Sequence, residues 1–469
     1  MSSGDTRVST GAIMTAGLAL AVVWIATLIV AMDRVSYDIW GAIVIGPLLL
    51  VVTLPLLSRQ ARREGDSRLF WLLFLALVAK LFIGTLIRYY ITIDVYKGAD
   101  AREYHQEGAR IADLFLHGNF DPGLKSVFTT DFIRLTTGIL YTVIRPTLLG
   151  GFFVYSWLAF IGMFYFYRAF VVAVPEGRNK NYAYLLFFLP SMLYWPSSIG
   201  KDAWLMFGLG IAAYGAALAL TGPLRRALIA LTVGLGAAAM VRPHTAAGIA
   251  IGLVVAVAIK RSSGRVRRHG PIAKLVSFAF LVAVAGGIIL FTQMFLAGKG
   301  LEGQGGGGLT SVLEQASEAT SKGGSSFTTY SATSPVGLVL GTITVLFRPF
   351  VIEATNFEML GSAVEGAFLL VLTLWRFRWL MAALKGIRRM PYVVVMIVYA
   401  GVSIVALSAV GNFGILTRQR TLIFPAYLVL LCVPPTTISK WRNGRRRGAA
   451  ATLEPGPATS PVPVPEPVA

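Results

Sequence analysis

Long apolar runs alternate with short polar segments from one end of the chain to the other. The runs are about 15–23 residues long, and roughly 20 apolar residues in a helix cross the hydrocarbon core of a bilayer. Because backbone polar groups in lipid must be satisfied within the segment, each run is predicted to be a helix. We predict an all-α polytopic membrane protein of about twelve transmembrane helices, at 11–32, 39–57, 69–91, 148–170, 182–199, 203–221, 227–241, 245–259, 275–297, 358–375, 391–409 and 420–437.

Two shorter apolar pieces, 136–144 and 336–347, are each followed by Arg-Pro. A membrane helix needs a longer run than either offers. We expect both to form re-entrant or interfacial helices that do not cross.

The loops between the runs predict the orientation. Arg and Lys follow the second, sixth, eighth, tenth and last runs. Short loops rich in Arg and Lys stay on the cytoplasmic side. We therefore expect a multi-pass protein of the plasma membrane with both termini cytoplasmic, which places segment 92–134 and loop 298–334 outside.

Composition supports the membrane class and excludes others. Of 469 residues, 55% are hydrophobic and 14% charged, and the mean hydropathy is +0.69, too apolar for an ordinary soluble domain. The net charge is +20, but no basic stripe interleaved with aromatics accompanies it. We expect membrane lipids as partners and no nucleic acid. The single cysteine, Cys432, excludes an intrachain disulfide framework.

The predicted organisation has three parts. Residues 1–68 are predicted to form a two-helix membrane segment, and 69–437 a larger membrane domain with outer loops 92–134 and 298–334. Residues 438–469 are a basic, then Pro-rich tail that is expected to be disordered. Loop 298–334 is rich in Gly, Ser and Thr, which fits either a mobile lid or a tolerated insertion.

One outer segment is unusually polar. Seven of the 22 acidic residues lie in 92–134, and its helical spacing predicts an amphipathic helix on the membrane surface. The candidate catalytic residues are Asp100, Glu103 and His105. Asp100 and Glu103 also fit a helix-capping pair, and His105 fits a base, a ligand or a satisfied interfacial residue.

The candidate substrate-binding residues come from several predicted helix ends. Cations and acids near the outer side suit a phosphate in a partly desolvated pocket, because forked arginine donors match phosphate oxygens. Simple helix turns and caps explain some of them equally well. The residues are Asp94, Tyr104, Lys201, Asp202, Arg242, His244, Arg348, Glu353, Arg418 and Arg420.

These groups together fit transfer from a phosphate leaving group. A carboxylate would deprotonate the attacking hydroxyl, and the cations would stabilise charge on the departing phosphate. No Walker loop, Rossmann glycine pattern or HExxH motif is present, so soluble-nucleotide and zinc-hydrolase chemistry lack support.

Four motifs carry a family resemblance: GADAREYH, PSSIGKD, the RPH at 242–244, and RQRTLIFP before the last run. In these the chain resembles the polytopic GT-C glycosyltransferases of bacterial cell-envelope polysaccharide synthesis, over most of 69–437. The resemblance implies a sugar donor on a polyprenyl phosphate, a glycan or lipid acceptor, and Asp100 as the base of an inverting displacement, with Asp94 or Glu103 as alternatives. The catalytic loop in that family follows the first membrane helix, whereas here it follows the third.

Other functions fit the same residues. A polysaccharide polymerase or ligase would use the arginines to hold a lipid pyrophosphate without an Asp base. A transporter or flippase of lipid-linked sugars would need charged groups along a path through the membrane. No cofactor is certain from the sequence, although Asp94 and Asp100 are suited to a divalent metal.

Overall fold

A computed structural model describes residues 10–97, 100–259, 325–330 and 334–436, together with the single residues 286, 317 and 320. Helices are the regular secondary structure of the described residues, which also contain one isolated β-bridge between Ser326 and Asn412. The predicted run 275–297 apart from residue 286, most of loop 298–334 and the tail 438–469 lie outside the described residues.

The helices are labelled in chain order over these residues. Their bounds are α1 Thr10–Arg34, α2 Tyr37–Glu64, α3 Ser67–Val95, α4 Asp100–Leu116, α5 Thr129–Ile144, α6 Leu148–Ala173, α7 Asn179–Phe188, α8 Pro190–Tyr194, α9 Lys201–Thr221, α10 Leu224–Val241, α11 Pro243–Ile259, α12 Pro335–Phe347, α13 Phe357–Trp375, α14 Phe377–Lys385, α15 Pro391–Ser408, α16 Phe413–Arg420 and α17 Phe424–Leu431. A 3₁₀ turn, Val351–Glu353, precedes α13. Helix α3 contains two π-helical stretches, Ala79–Gly84 and Ile91–Val95.

Eight helices of the described part are long and apolar enough to cross a membrane by length and composition: α1, α2, α3, α6, α9, α10, α13 and α15. The protein is therefore membrane-embedded and all-α, as predicted. The count of twelve crossings stays a prediction.

Two predicted runs are not continuous helices over their full length, and a third forms a helix shorter than the other candidate spans. Run 182–199 is divided into α7 and α8 because Pro190, which has no N–H to donate, begins the second piece. Run 420–437 is helical mainly over α17, which has Pro425 in its first turn and is separated from α16 by a turn at 421–423. Run 245–259 corresponds to α11, which has 17 residues. Apolar length alone does not reveal such interruptions.

The surface helix predicted in 92–134 is confirmed as a helix, α4, and it packs on α5. Its buried side chains include Tyr104 and Ile111 on one face, as the spacing predicted. A Cβ on Gly108 would lie 2.6 Å from Thr137 Cγ2, so the two helices meet at a distance that only glycine allows. The pieces predicted at 136–144 and 336–347 are also helical, as parts of α5 and α12.

The core is built on α6, α9 and α10, which cross at glycines. A Cβ on Gly210 of α9 would lie 2.7 Å from Cα of Gly162 on α6, and one on Gly234 of α10 would lie 2.7 Å from Cα of Ala212 on α9. Small residues at helix crossings are the usual means of close packing in membranes. They hold the ends of α9 and α10, which carry predicted site residues, in fixed positions.

The short helix α8 is capped by two buried ionisable side chains. The backbone N–H of Ser191, near its start, donates to Glu365 Oε2 at 2.6 Å. Lys80 Nζ donates to the carbonyls of Met192 at 2.7 Å and Leu193 at 3.2 Å. An acceptor at the beginning of α8 and a donor at its end satisfy backbone groups that lipid could not. These hydrogen bonds allow the helical structure to be interrupted between α7 and α9 inside the bundle.

Candidate functional site

Four helix ends from distant parts of the sequence meet at one place. Asp100 begins α4, Asp202 lies in the first turn of α9, Arg242 joins α10 to α11, and Arg418 lies in α16. We call these four residues the Arg418 cluster. The structure therefore brings one predicted catalytic residue together with three predicted substrate-binding residues.

The Arg418 cluster is a chain of alternating charges. Arg418 Nε donates to Asp202 Oδ2, and Arg418 Nη1 lies 3.5 Å from Asp100 Oδ2. Arg242 Nη1 lies 3.9 Å from Asp202 Oδ1, which is an electrostatic contact rather than a hydrogen bond. The order is Asp100, Arg418, Asp202, Arg242.

Asp202 is the least accessible member of the cluster and Asp100 is the most accessible. The exposed fraction is 5% for the Asp202 side chain, 17% for Arg242, 28% for Arg418 and 60% for Asp100. A buried carboxylate between two cations is suited to holding them in place. Asp100 is the carboxylate of the cluster that a substrate can reach.

Tyr104 and Lys201 adjoin the cluster through Thr130 of α5. Lys201 Nζ donates to Thr130 Oγ1 at 2.8 Å, and the Tyr104 side chain is hydrogen-bonded to the same hydroxyl group. Burial, and then the Asp100 carboxylate, raise the pKa of Tyr104 to about 12. Tyr104 is therefore a neutral phenol at physiological pH and does not add negative charge beside Asp100.

Glu103 and His105 make their contacts elsewhere. Glu103 pairs with Arg134 of α5, which also binds Asp131. His105 Nδ1 lies 2.8 Å from Tyr141 Oη, and burial lowers the pKa of the imidazole. Since Tyr141 donates its only proton to the Thr147 carbonyl at 3.0 Å, His105 Nδ1 is the donor in the first contact. These contacts join α4 to α5, and a catalytic role for either residue stays a prediction.

The remaining predicted residues also lie apart from the cluster's ion pairs. Arg348 Nε donates to both oxygens of Glu353 at 3.1 Å, with its guanidinium 4.7 Å from the centre of the Phe327 ring. Arg420 is fully buried and donates to the carbonyls of Arg348 and Ser362. These contacts tie α16 to the neighbouring segments and position Arg418. Asp94 and His244 are exposed.

The possible divalent metal has no dedicated ligand set in the described part of the chain. No group of three His, Cys, Asp or Glu side chains is close enough there to hold one. The carboxylates of the Arg418 cluster instead face arginines.

Sequence reasoning missed a second polar group, around Arg88 of α3. Arg88 Nη1 donates to Tyr194 Oη at 2.8 Å and lies 3.3 Å from Glu358 Oε1. Its guanidinium is 4.8 Å from the Trp195 ring centre. The signal was available, because an ionisable residue inside a predicted membrane run is by default a functional candidate. The same reasoning applies to Lys80.

Comparison with known proteins does not assign this arrangement to a family. No family model matches the chain, and no similar curated protein or solved structure is found. The function is therefore inferred from the site itself.

Proposed function

We propose that this protein is an integral-membrane glycosyltransferase. It moves a sugar from a polyprenyl-phosphate donor to a cell-envelope glycan or lipid acceptor at the outer face of the plasma membrane. The observation that supports this most directly is the accessible Asp100 carboxylate paired with Arg418, next to the buried Asp202–Arg242 contact. A proton acceptor and phosphate-binding cations thus lie within one cluster.

Asp100 is the general base of this mechanism. Its carboxylate accepts the proton of the acceptor hydroxyl as that oxygen attacks the anomeric carbon of the sugar. The bond between the anomeric carbon and the phosphate oxygen breaks, and its electron pair leaves with the phosphate. Attack from the face opposite the phosphate inverts the anomeric configuration.

Arg418, Arg242 and Lys201 stabilise the departing phosphate. Guanidinium groups bind phosphate oxygens through paired donors, and cations fixed before the reaction lower the barrier most. Asp202 provides that fixation because it contacts both arginines and is itself nearly inaccessible. Asp202 is accordingly a positioning residue.

The location of the ionisable groups supports transfer over transport. Those of the Arg418 cluster lie at helix ends, on one side of the bundle. Two ionisable side chains deeper in the described helices, Lys80 and Glu365, are engaged with the backbone of α8. They do not mark a path for a substrate. The accessible carboxylate likewise favours base-assisted transfer over a polymerase or ligase that needs none.

The test is sugar transfer by Asp100→Asn. Membranes containing the full chain are supplied with a panel of radiolabelled polyprenyl-phosphate sugars, and label in extracted glycan and lipid is counted. Loss of a general base lowers the rate by about 10²–10⁴-fold. Glu107→Gln is the matched control, because Glu107 is a carboxylate on the same helix that pairs with Arg110 at 3.0 Å. Transfer by Asp100→Asn at the rate of Glu107→Gln would remove Asp100 as the base.

A further inference from the structure

An apolar groove lies on the side of the bundle between α3 and the start of α13. Its volume is about 550 Å³, within the range of roughly 300–1,000 Å³ for ligand sites. The lining is almost entirely hydrocarbon and aromatic: Leu86, Ile87, Tyr90, Ile91, Val95, Tyr96, Phe357 and Glu358. Because both bordering helices are candidate membrane spans, the medium outside the groove is lipid.

The groove has one polar end, at Glu358. The Glu358 carboxylate accepts hydrogen bonds from Tyr96 Oη at 2.9 Å and from Tyr194, and it pairs with Arg88 at 3.3 Å. Arg88 thus lies directly behind the groove lining. It is nine-tenths buried, and its Nε has no hydrogen-bond partner in the described structure. Buried donors are normally hydrogen-bonded, so this nitrogen is available to an acceptor on a ligand.

The same arginine connects the groove with the Arg418 cluster. Its partner Tyr194 belongs to α8, six residues before Gly200, and the α9 helix that begins after Gly200 carries Asp202 in its first turn. The apolar lining of the groove therefore ends at the Glu358–Arg88 pair, in which the buried arginine keeps one donor without a partner among the described residues. Apolar walls that end beside such a cation match an amphiphile that has a hydrocarbon chain and an anionic head.

We propose that this groove binds a single long apolar chain of an anionic membrane lipid, with the phosphate head directed past Glu358 toward Arg88 and Arg418. Under the proposed function, on which this assignment of the head rests, the ligand is the sugar donor. Its chain enters sideways from the bilayer. The groove residues hold the chain, and the Arg418 cluster acts on the head.

Two isoleucines on α3 give a matched test. Ile87 lines the groove, whereas Ile83, one turn earlier and similarly exposed, does not. The full-length protein is purified, and binding of a photoactivatable isoprenyl phosphate with a chain of about 20 carbons, sized to the groove volume, is measured by cross-linking yield against concentration. Ile87→Trp is expected to weaken binding about tenfold or more, and Ile83→Trp by less than about twofold. Equal binding by the two variants would overturn the groove assignment.

Both positions are on the exposed side of α3, so either variant is expected to fold. Thermal unfolding of each checks this, and Leu86→Trp, which fills the same groove from the adjacent residue, supplies a second variant. Weaker binding of the isoprenyl phosphate by both Ile87→Trp and Leu86→Trp supports the proposal. A loss of binding in only one of two folded variants contradicts it.

Two further ligands distinguish the head from the chain. Arg88→Gln is expected to weaken binding of the isoprenyl phosphate but not of the corresponding isoprenol, since only the phosphate uses the cation. Vesicles of phosphatidylglycerol, an anionic lipid with two chains, are expected to compete poorly. Equal competition would overturn the assignment to a single chain.

Binding and transfer can fail separately. Asp100→Asn is expected to lose transfer but to bind the isoprenyl phosphate at least as tightly as the wild type, because it removes a negative charge beside Arg418. If Asp100→Asn keeps transfer, the proposed base fails but the groove assignment is untouched. If Ile87→Trp keeps full binding, the groove fails while the proposed function stands on the Arg418 cluster.

Discussion

The two aspartates that share Arg418 should differ sharply in what they contribute to stability. Asp202 is almost inaccessible and contacts two arginines, whereas Asp100 is largely exposed and lies 3.5 Å from one. Removing one partner of a buried ion pair costs about 3–5 kcal/mol. The two arginines retain partial exposure, and Arg418 keeps Asp100 as a partner. We therefore expect Asp202→Asn to lower the free energy of unfolding by about 2–3 kcal/mol. An exposed ion pair contributes about 0–1 kcal/mol to stability, and we expect a loss of that size for Asp100→Asn.

The assay is reversible unfolding of the purified full-length protein in one detergent, with the two variants and wild type measured side by side. Each variant is also tested for sugar transfer. We expect Asp202→Asn to lose both stability and transfer, and Asp100→Asn to lose transfer alone. Equal loss of stability by the two variants would refute the division into an accessible base and a buried positioning residue.

Two other predictions concern helix packing and pH. Gly234→Ala should destabilise the protein by about 1–3 kcal/mol through overpacking against Ala212. Gly236 has open space around it, so Gly236→Ala should be neutral or stabilising by up to about 1 kcal/mol. Unfolding in detergent compares the two variants, and equal effects would contradict the close crossing of α9 and α10. Burial lowers the pKa of His105 below its ordinary value of 6.5 in the folded state, so the unfolded chain binds more protons and stability falls as pH falls below about 6.5. His105→Gln should reduce this loss between pH 7.5 and 5, and His117→Gln, at an exposed position, should not.

The spacing of apolar residues was sufficient to predict the amphipathic helix α4. The buried face of α4, with Tyr104 and Ile111, follows directly from helical periodicity. The interrupted helices were predicted wrongly as continuous because hydrophobicity does not indicate where the chain breaks. Pro190 begins α8, and the break is supported by Lys80, more than a hundred residues earlier in the sequence.

The sequence also did not predict which charged residues of the candidate site contact each other. Charge type and position near helix ends indicated Asp100, Asp202, Arg242 and Arg418 as site residues, but not that Arg418 would lie between the two aspartates. Such partnerships depend on how distant helices pack. Glu103 illustrates the reverse case, since it shares a helix with Asp100 yet pairs with Arg134.

The two ionisable contacts of α8 have a consequence for the width of the groove. Lys80 and Arg88 are eight residues apart on α3, and Glu358 and Glu365 are seven apart on α13, so the contacts of both helices with the α8 segment lie at two levels about 10–12 Å apart. Contacts at two levels along the helices restrict tilting and sliding of α3 relative to α13. The gap between α3 and α13 is then expected to keep a constant width, and a groove that binds a lipid chain as proposed would select chains by their thickness.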